Sequence, residues 1–318
     1  MAAVVSSFNR KNLLAIGMPA LYAALRQCDF ASVIIVYDAG STDGSKEFVE
    51  AFATDSDKVS VELICAGIDE DSSFSAGVNQ AARLAAGKFP ELEYLMLFET
   101  DNWIAGPEPI WLACQLLSKQ KRVAAVGFTV SNHEGTKIGY GTSFPKLWQF
   151  VLGQNLTYIF RLDTPRQIWT DFKGKRWTTC DVVFTSPILI RKTAWFESDG
   201  FDQIHFPFSD CDTDWSYRLS KLGWQLAVLD VDGVVHDNQQ QLSAWSANRA
   251  KQFHQARYKL FRLRFGSFVD LLKPLLFLRH GFECVCLFIL VALGKRHKSM
   301  LQARKKLLLT CFQGYTDK

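Results

Sequence analysis

Three short stretches hold the residues whose types and spacing could do chemistry. "FSDCDTDWSYR", Phe208 to Arg218, sets Asp210, Asp212 and Asp214 at every second position, with Trp215, Tyr217 and Arg218 close behind. As a strand it would line three like charges on one face, where they repel. As the first turn of a helix it would fan them out where the macrodipole favours acids. "LMLFETDNW", Leu95 to Trp103, ends an apolar run in Glu99-Thr100-Asp101. Two carboxylates at a strand end suit a hard divalent cation, Mg²⁺ above all, which takes one or two carboxylates plus substrate phosphates. The plain alternative is that they cap a helix or solvate a loop. "IIVYDAGSTDGS" closes its apolar run with Asp38, placed to hydrogen-bond a ligand's base or ribose, or simply to open a βα turn. It lacks the GxGxxG of a dinucleotide site and the GxxxxGK of a phosphate loop.

The elements around these stretches place them together. Apolar runs at Ala2–Ser7, Val33–Tyr37, Val59–Ile64, Tyr94–Phe98 and Val123–Phe128 read as strands. Helix-period segments at Lys11–Arg26, Lys46–Ala53, Ala76–Ala86 and Pro107–Ser118 lie between them. That alternation predicts an α/β fold, a doubly wound and mostly parallel sheet with helices on both faces. Ligands of such sheets bind beyond the carboxyl ends of the strands, which selects Ser6 to Arg10, Asp38 to Ser45 with Asp43 as N-cap of the next helix, and Glu99 to Asp101. Residues 131–179 read as a loop-rich insertion with Trp148, Trp169 and Trp177. Order returns with a strand at Asp181–Ile190, a helix through Leu222, and short strands at Gln225–Leu229 and Gly233–His236. From Gln241 the pattern is helical, with breaks near Gly266, Pro274 and Gly294.

The 318 residues suffice for one large domain or two smaller ones. A net charge of +4 conceals an asymmetry: from Lys251 onward 14 basic residues face 3 acidic ones, a net +11, while the first 250 residues carry −7. A basic tail interrupted throughout by Leu and Phe favours a membrane surface over nucleic acid. Its longest uncharged apolar run, Cys284 to Leu293, is shorter than the roughly 20 residues a span needs. The expectation is therefore a peripheral pair of amphipathic helices, with a helical cap or a homo-oligomer interface as the competing reading. Eight cysteines without a CxxC pair, and no signal peptide, fit reduced thiols and a cytoplasmic location.

Six segments in one order carry a resemblance: "VVSSFNR", "IIVYDAGSTDGS", "FSAGVNQAARLAAG", "LMLFETDNW", "ILIRKTAWFESDGFD" and "DTDWSYRLSKLGW". Over roughly Met1 to Asp237, apart from the insertion, the chain resembles the family 2 glycosyltransferases of the GT-A fold, notably rhamnosyltransferase-like members. The resemblance implies a catalytic domain over 1–240, with a donor-binding half at 1–130 and an acceptor and base half at 180–240, followed by a basic amphipathic tail at 241–318. It implies inverting transfer of a sugar from a UDP- or dTDP-linked donor, with Mg²⁺ or Mn²⁺, to a glycan or lipid-linked acceptor at a cytoplasmic membrane face.

Carried over residue by residue, Asp38 matches the acid that contacts the base, and Ser6 and Phe8 line the same pocket. Glu99-Thr100-Asp101 matches the DxD motif, with Asp101 as direct metal ligand and Glu99 in place of the first Asp. Gly77 and Asn79 are retained from a donor-binding loop in which Asp71 and Ser73 replace the usual Asn and Gly. Asp212 falls on the general base and Asp214 on the second acid, at a helix start, while Cys211 stands where an acid is usual. His236 falls near a further metal or diphosphate contact. Trp215 is a sugar-stacking platform or a packed core residue, and Arg218 pairs with Asp214 at i,i+4. Two other classes compete. A non-catalytic nucleotide- or glycan-binding scaffold would fit the departures at Glu99, Cys211 and Asp71. A sugar-phosphate nucleotidyltransferase would need a glycine-rich, Arg-containing loop that Ser6 to Arg10 does not supply.

Overall fold

Seven consecutive residues of the second strand, Ser32 to Asp38, are all buried, as expected of a β-branched run covered on both sheet faces. The computed structural model describes residues 1–52, 58–67, 70–132, 134–153, 156–157, 167–184, 187–236 and 247–313. The chain divides into two compact units, Met1–Phe144 with Pro165–Asn238, and Pro145–Thr164 with Gln239–Lys318.

The first unit is built on a nine-stranded sheet in the order β3-β2-β1-β4-β11-β6-β12-β10-β9. Its strands are β1 Ala2–Ser7, β2 Ser32–Asp38, β3 Val59–Cys65, β4 Tyr94–Leu97, β6 Val123–Phe128, β9 Thr170–Phe172, β10 Lys175–Cys180, β11 Ile188–Arg191 and β12 Gln225–Asp230. β1 runs parallel to β2 and β4, β2 to β3, and β12 to β6. β11 enters antiparallel between β4 and β6, and the β9–β10 hairpin extends the edge beyond β12. A second sheet joins β5 Asn102–Ile104, β7 Val130–Ser131, β8 Lys137–Ile138 and β13 Val234–His236 in the order β5-β13-β7-β8. Helices α1 Lys11–Arg26, α2 Ser45–Glu50, α3 Phe74–Lys88 and α4 Glu108–Lys119 separate the early strands, and α1 and α4 bury Leu14, Leu21, Leu25, Ile110, Leu112 and Leu116 in one core.

Two expectations change. The strand expected over Asp181–Ile190 is confined to Ile188–Arg191; Val182 makes only an isolated bridge to Thr142, and the Asp181 carboxylate accepts the Phe144 N–H at 3.0 Å, which turns the chain away from the sheet. Asp43 does not cap α2. Its Oδ1 accepts from the Ser45 N–H and hydroxyl at 3.0 and 2.5 Å, its Oδ2 accepts the first N–H of α1, from Lys11, at 2.9 Å, and Gly44 takes the cap position at φ 85°.

The second unit is helical. α5 Leu147–Leu152, from the expected insertion, belongs with α8 Ala247–Phe265, a 3₁₀ turn at Gly266–Leu272, α9 Lys273–Ala292 and α10 Lys298–Gln313. Tyr258, Phe261, Val269, Leu276 and Cys311 form its small core. Phe268, Leu271, Leu278, Phe282, Val285 and Phe288 remain exposed. The ten-residue uncharged run understated the tail: Ala250–Ala292 contains a stretch long and apolar enough, by length and composition, to cross a membrane, with 11% of it buried within the protein. The helix runs on through Arg279, His280 and Glu283 because these pair with one another, Glu283 accepting Arg279 at 3.6 Å and His280 at 3.2 Å, and Arg304 of α10 at 2.8 Å.

Candidate functional site

Strand order decides where a ligand can sit. The winding reverses between β1 and β4, and the crevice beyond the carboxyl ends at such a switch point is the usual binding place. Ser7 ends β1 directly opposite Asp38 at the end of β2, and β4 runs out through Phe98 into Glu99, Thr100 and Asp101.

The β1 and β2 ends are locked together. Asp38 Oδ1 accepts the N–H groups of Gly40 and Ser41 at 3.0 and 2.8 Å. Asn9, in the left-handed region at φ 52°, accepts the Thr42 N–H on its Oδ1 at 2.8 Å and donates its own N–H to Ser41 Oγ at 2.8 Å. Asp38 Oδ2 and Ser7 Oγ remain: both are buried, and among the described residues neither has a hydrogen-bond partner. A buried acceptor left unsatisfied costs about 1–3 kcal/mol, more when charged. On the same rim Ser6 is half-buried and the Phe8 ring is 57% exposed.

The β4 end repeats the pattern. Asp101 is 7% exposed, and among the described residues neither carboxylate oxygen accepts a hydrogen bond. His236 Nδ1 lies 3.7 Å from Asp101 Oδ1 and 2.7 Å from Asn102 Oδ1, because β13 pairs with β5 so that His236 opposes Asn102. Thr100 is buried and Glu99 half-buried beside it. Asp101 is thus a dry carboxylate without a hydrogen bond among the described residues, beside an imidazole and two positions after a second acid, a chemistry compatible with a divalent cation. The turn is held from behind by α1: a Cβ on Gly17 would fall 2.7 Å from the Asn102 carbonyl oxygen and 3.3 Å from that of Thr100, so only glycine permits this approach.

The third stretch is a helix. α7 spans Cys211–Lys221, with Asp210 at its N-cap in the left-handed region at φ 60°. Asp210 is buried, and its Oδ1 lies 3.4 Å from the Thr213 hydroxyl. Asp214 receives Arg218 Nε at 2.8 Å, and the rest of that guanidinium donates to the carbonyls of Ser198 and Gly200. Asp212 is half-buried, its Oδ1 accepting the Thr213 N–H at 2.7 Å. Trp215 is no platform: it is 1% exposed, donates to Ser198 Oγ at 2.8 Å and packs on Trp195 and Phe201.

α3 carries the first half to the second. Ser75 donates its N–H to Pro207 O at 3.0 Å and its hydroxyl to Phe206 O at 2.6 Å, pinning the segment that leads into α7. Burial, then the charge of Asp212, pushes the Cys211 thiol well above its ordinary value; Ser75 hydrogen-bonds the thiol, and the Glu99 charge also acts on it. The β4 turn and the α7 start therefore lie within electrostatic reach of each other.

Gly77 and Asn79 serve this joint. A Cβ on Gly77 would fall 2.3 Å from the Tyr37 ring, so the glycine lets α3 close on β2. The Asn79 amide donates to Phe201 O and Gln203 Oε1 at 2.8 and 3.1 Å and accepts the Phe201 N–H at 2.9 Å. It is spent on the loop before α7, where the resemblance placed it on the donor. Ser7 and Asn102 were not singled out from sequence; the first could have been found from its place opposite Asp38, the second only from the β5–β13 pairing.

No protein-family model matches the chain, and no curated protein matches it. Solved structures do. Residues 1–349 of S. aureus TarS in complex with UDP-GlcNAc superpose with a TM-score of 0.50 at 14% identity, over 85% of this chain and 66% of that one. The mannosyltransferase PcManGT from Pyrobaculum calidifontis, in complex with GDP-Man and Mn²⁺, gives 0.54 at 13% identity, over 98% and 86%. The chain thus spans just under two thirds of that TarS chain. The likeness is one of fold, a GT-A-type mixed α/β sheet; this chain also has a long apolar helix near its C-terminal end.

Proposed function

We propose that the chain is an inverting, family 2 glycosyltransferase that moves a sugar from a nucleoside diphosphate to a hydroxyl of a glycan or lipid-linked acceptor. The observation that carries this reading is the set of buried, unpartnered oxygens on Asp38 and Asp101 at one switch point. Solved structures of this fold hold UDP-GlcNAc, or GDP-Man with Mn²⁺, which supports a nucleotide-sugar donor and a divalent cation here.

In this reading Asp38 Oδ2 accepts an N–H from the base, Ser6 and Ser7 line its pocket, and the exposed Phe8 ring covers the nucleoside. Asp101, with Glu99 and His236, holds Mg²⁺ or Mn²⁺; when bound, the cation supplies positive charge against the diphosphate as it leaves. Asp212 takes the proton from the acceptor hydroxyl, within hydrogen-bond reach of it. The oxygen then attacks the anomeric carbon opposite the leaving diphosphate, the glycosidic bond forms as the bond to the diphosphate breaks, and configuration inverts. Asp212 lies in the first turn of α7, where the helix macrodipole favours an acid. The exposed Leu and Phe residues and basic flanks of the second unit suit an acceptor presented at a cytoplasmic membrane face.

Thermal denaturation with UDP, dTDP and GDP, each with and without Mn²⁺, tests the reading. Stabilisation by one or more nucleotides that increases with Mn²⁺ supports it, and indifference to all of them rejects it. Nucleotide stabilisation without transfer from any donor would favour the scaffold reading, which the buried Cys211 keeps in view.

A further inference from the structure

The second unit holds a group of residues that the proposed transfer does not use. His254 of α8, His280 of α9 and Cys311 of α10 bring their ligating atoms within 4.8 Å of one another, and all three are buried. Three separate helices thus deliver one atom each to a common point. His254 Nε2 lies 3.9 Å from Cys311 Sγ. A tetrahedral zinc ion, about 2.0–2.1 Å from nitrogen and 2.3 Å from sulfur, would set those two atoms about 3.5 Å apart. That pair closes with a shift of a few tenths of an ångström, and the remaining pairs, within 4.8 Å, with up to about 1.5 Å. The two imidazoles meet edge to face at 4.9 Å between centroids.

His280 is surrounded by a carboxylate and two guanidiniums, Arg279 Nη2 lying 3.4 Å from its Nε2. Glu283 Oε2 lies 3.2 Å from His280 Nδ1, an arrangement in which a carboxylate orients an imidazole whose other nitrogen binds metal. Arg304 Nη1 holds that carboxylate at 2.8 Å and Arg279 Nε lies 3.6 Å from it, and both guanidiniums also approach the His280 ring. The two arginines are the cations facing the group; the Glu283 carboxylate and a Cys311 thiolate balance them. The ligand chemistry of two imidazoles and a thiolate selects a borderline ion such as zinc over Mg²⁺ or Mn²⁺, which prefer oxygen. The unit also has reason to need a staple, since its buried apolar cluster comprises few side chains and much of its Leu and Phe faces outward.

We infer that His254, His280 and Cys311 bind one zinc ion that fastens α8, α9 and α10 together, with water in the fourth position. The site is independent of the transferase reading.

The test uses the untagged full-length chain. Zinc is measured in the purified protein by plasma emission, and the chain is reconstituted with Co²⁺ to look for a thiolate-to-cobalt charge-transfer band. About one zinc per chain is expected, together with that band, a lower Tm on chelation, and at least a tenfold loss of zinc affinity in Cys311→Ser. A chain that takes up no zinc when supplied with it, or a cobalt band that survives Cys311→Ser, would overturn the inference. Should Cys311→Ser not fold, the wild-type band and the chelator-induced fall in Tm decide the matter. Nucleotide stabilisation with Mn²⁺ at the other unit is a separate readout, so either proposal can fail alone.

Discussion

The carboxylates at the sheet edge and those at the start of α7 are kept in opposite conditions. Asp38 and Asp101 are buried with oxygens that nothing in the described structure satisfies, whereas Asp210 and Asp214 are engaged by Thr213 and Arg218. In the proposed reading a ligand supplies the missing partners of the first pair, so the cost of leaving them bare is recovered on binding. In the same reading Asp212 needs only reach, and its paired neighbours keep the helix end in place.

Five substitutions or titrations would break or sharpen that contrast. The largest effect is expected from Asp212→Asn, which should lower transfer about 10²–10⁴-fold while leaving nucleotide affinity unchanged; a kcat within tenfold of wild type would move the base elsewhere. Asp101→Asn should lower transfer about 10²–10³-fold and abolish the Mn²⁺-dependent part of nucleotide binding. It should also raise the Tm of the metal-free chain, because a buried unpaired charge disappears; a lower Tm would mean that the carboxylate has partners after all. Asp38→Asn should weaken nucleotide binding about 10- to 100-fold with kcat little changed, measured by calorimetry, since one charge-assisted hydrogen bond is at stake. Asp214→Asn, on the paired side, should lower stability by about 1 kcal/mol and leave nucleotide binding alone.

The smallest effect concerns acid. Burial alone would raise the Asp230 carboxyl, but hydrogen bonds from Lys137 and Arg176 outweigh it and hold the group below its ordinary value. A depressed folded value means that the stabilisation is complete above the unfolded value, about pH 4, and drains away as the pH falls through the folded one. Urea midpoints should therefore fall on acidification below about pH 4, and less steeply in Asp230→Asn.

Much of the fold could be read from local pattern. The runs at β1, β2, β3 and β6 match their strands to within a residue or so because the strands are continuous apolar segments closed by polar turns. β11 could not be placed that way: its insertion between β4 and β6, antiparallel to both, depends on partners about 60 and 90 positions away. The union of Leu147–Leu152 with the C-terminal helices is equally non-local. For the site, spacing drew attention to Asp38, the Glu99–Asp101 pair and the Asp210–Asp214 run, and the family resemblance singled out Asp101 and Asp212 among them. Whether a polar atom is satisfied is a matter of tertiary neighbours, which is why Asn79 turned out to be spent on Phe201 and Gln203 and Trp215 to be buried. The long apolar stretch of the tail was undercounted because Arg279 and Glu283 read as breaks in sequence but face each other in space.

Gly17 sits some eighty positions from the acids it backs, in the middle of α1. Adding one methyl there would press on two peptide oxygens and tilt the hinge from which Asp101 projects. If Asp101 holds the proposed cation, its affinity can drift without any ligand being altered, and a search for inactivating changes confined to the acidic motifs would overlook a position that sets their aim.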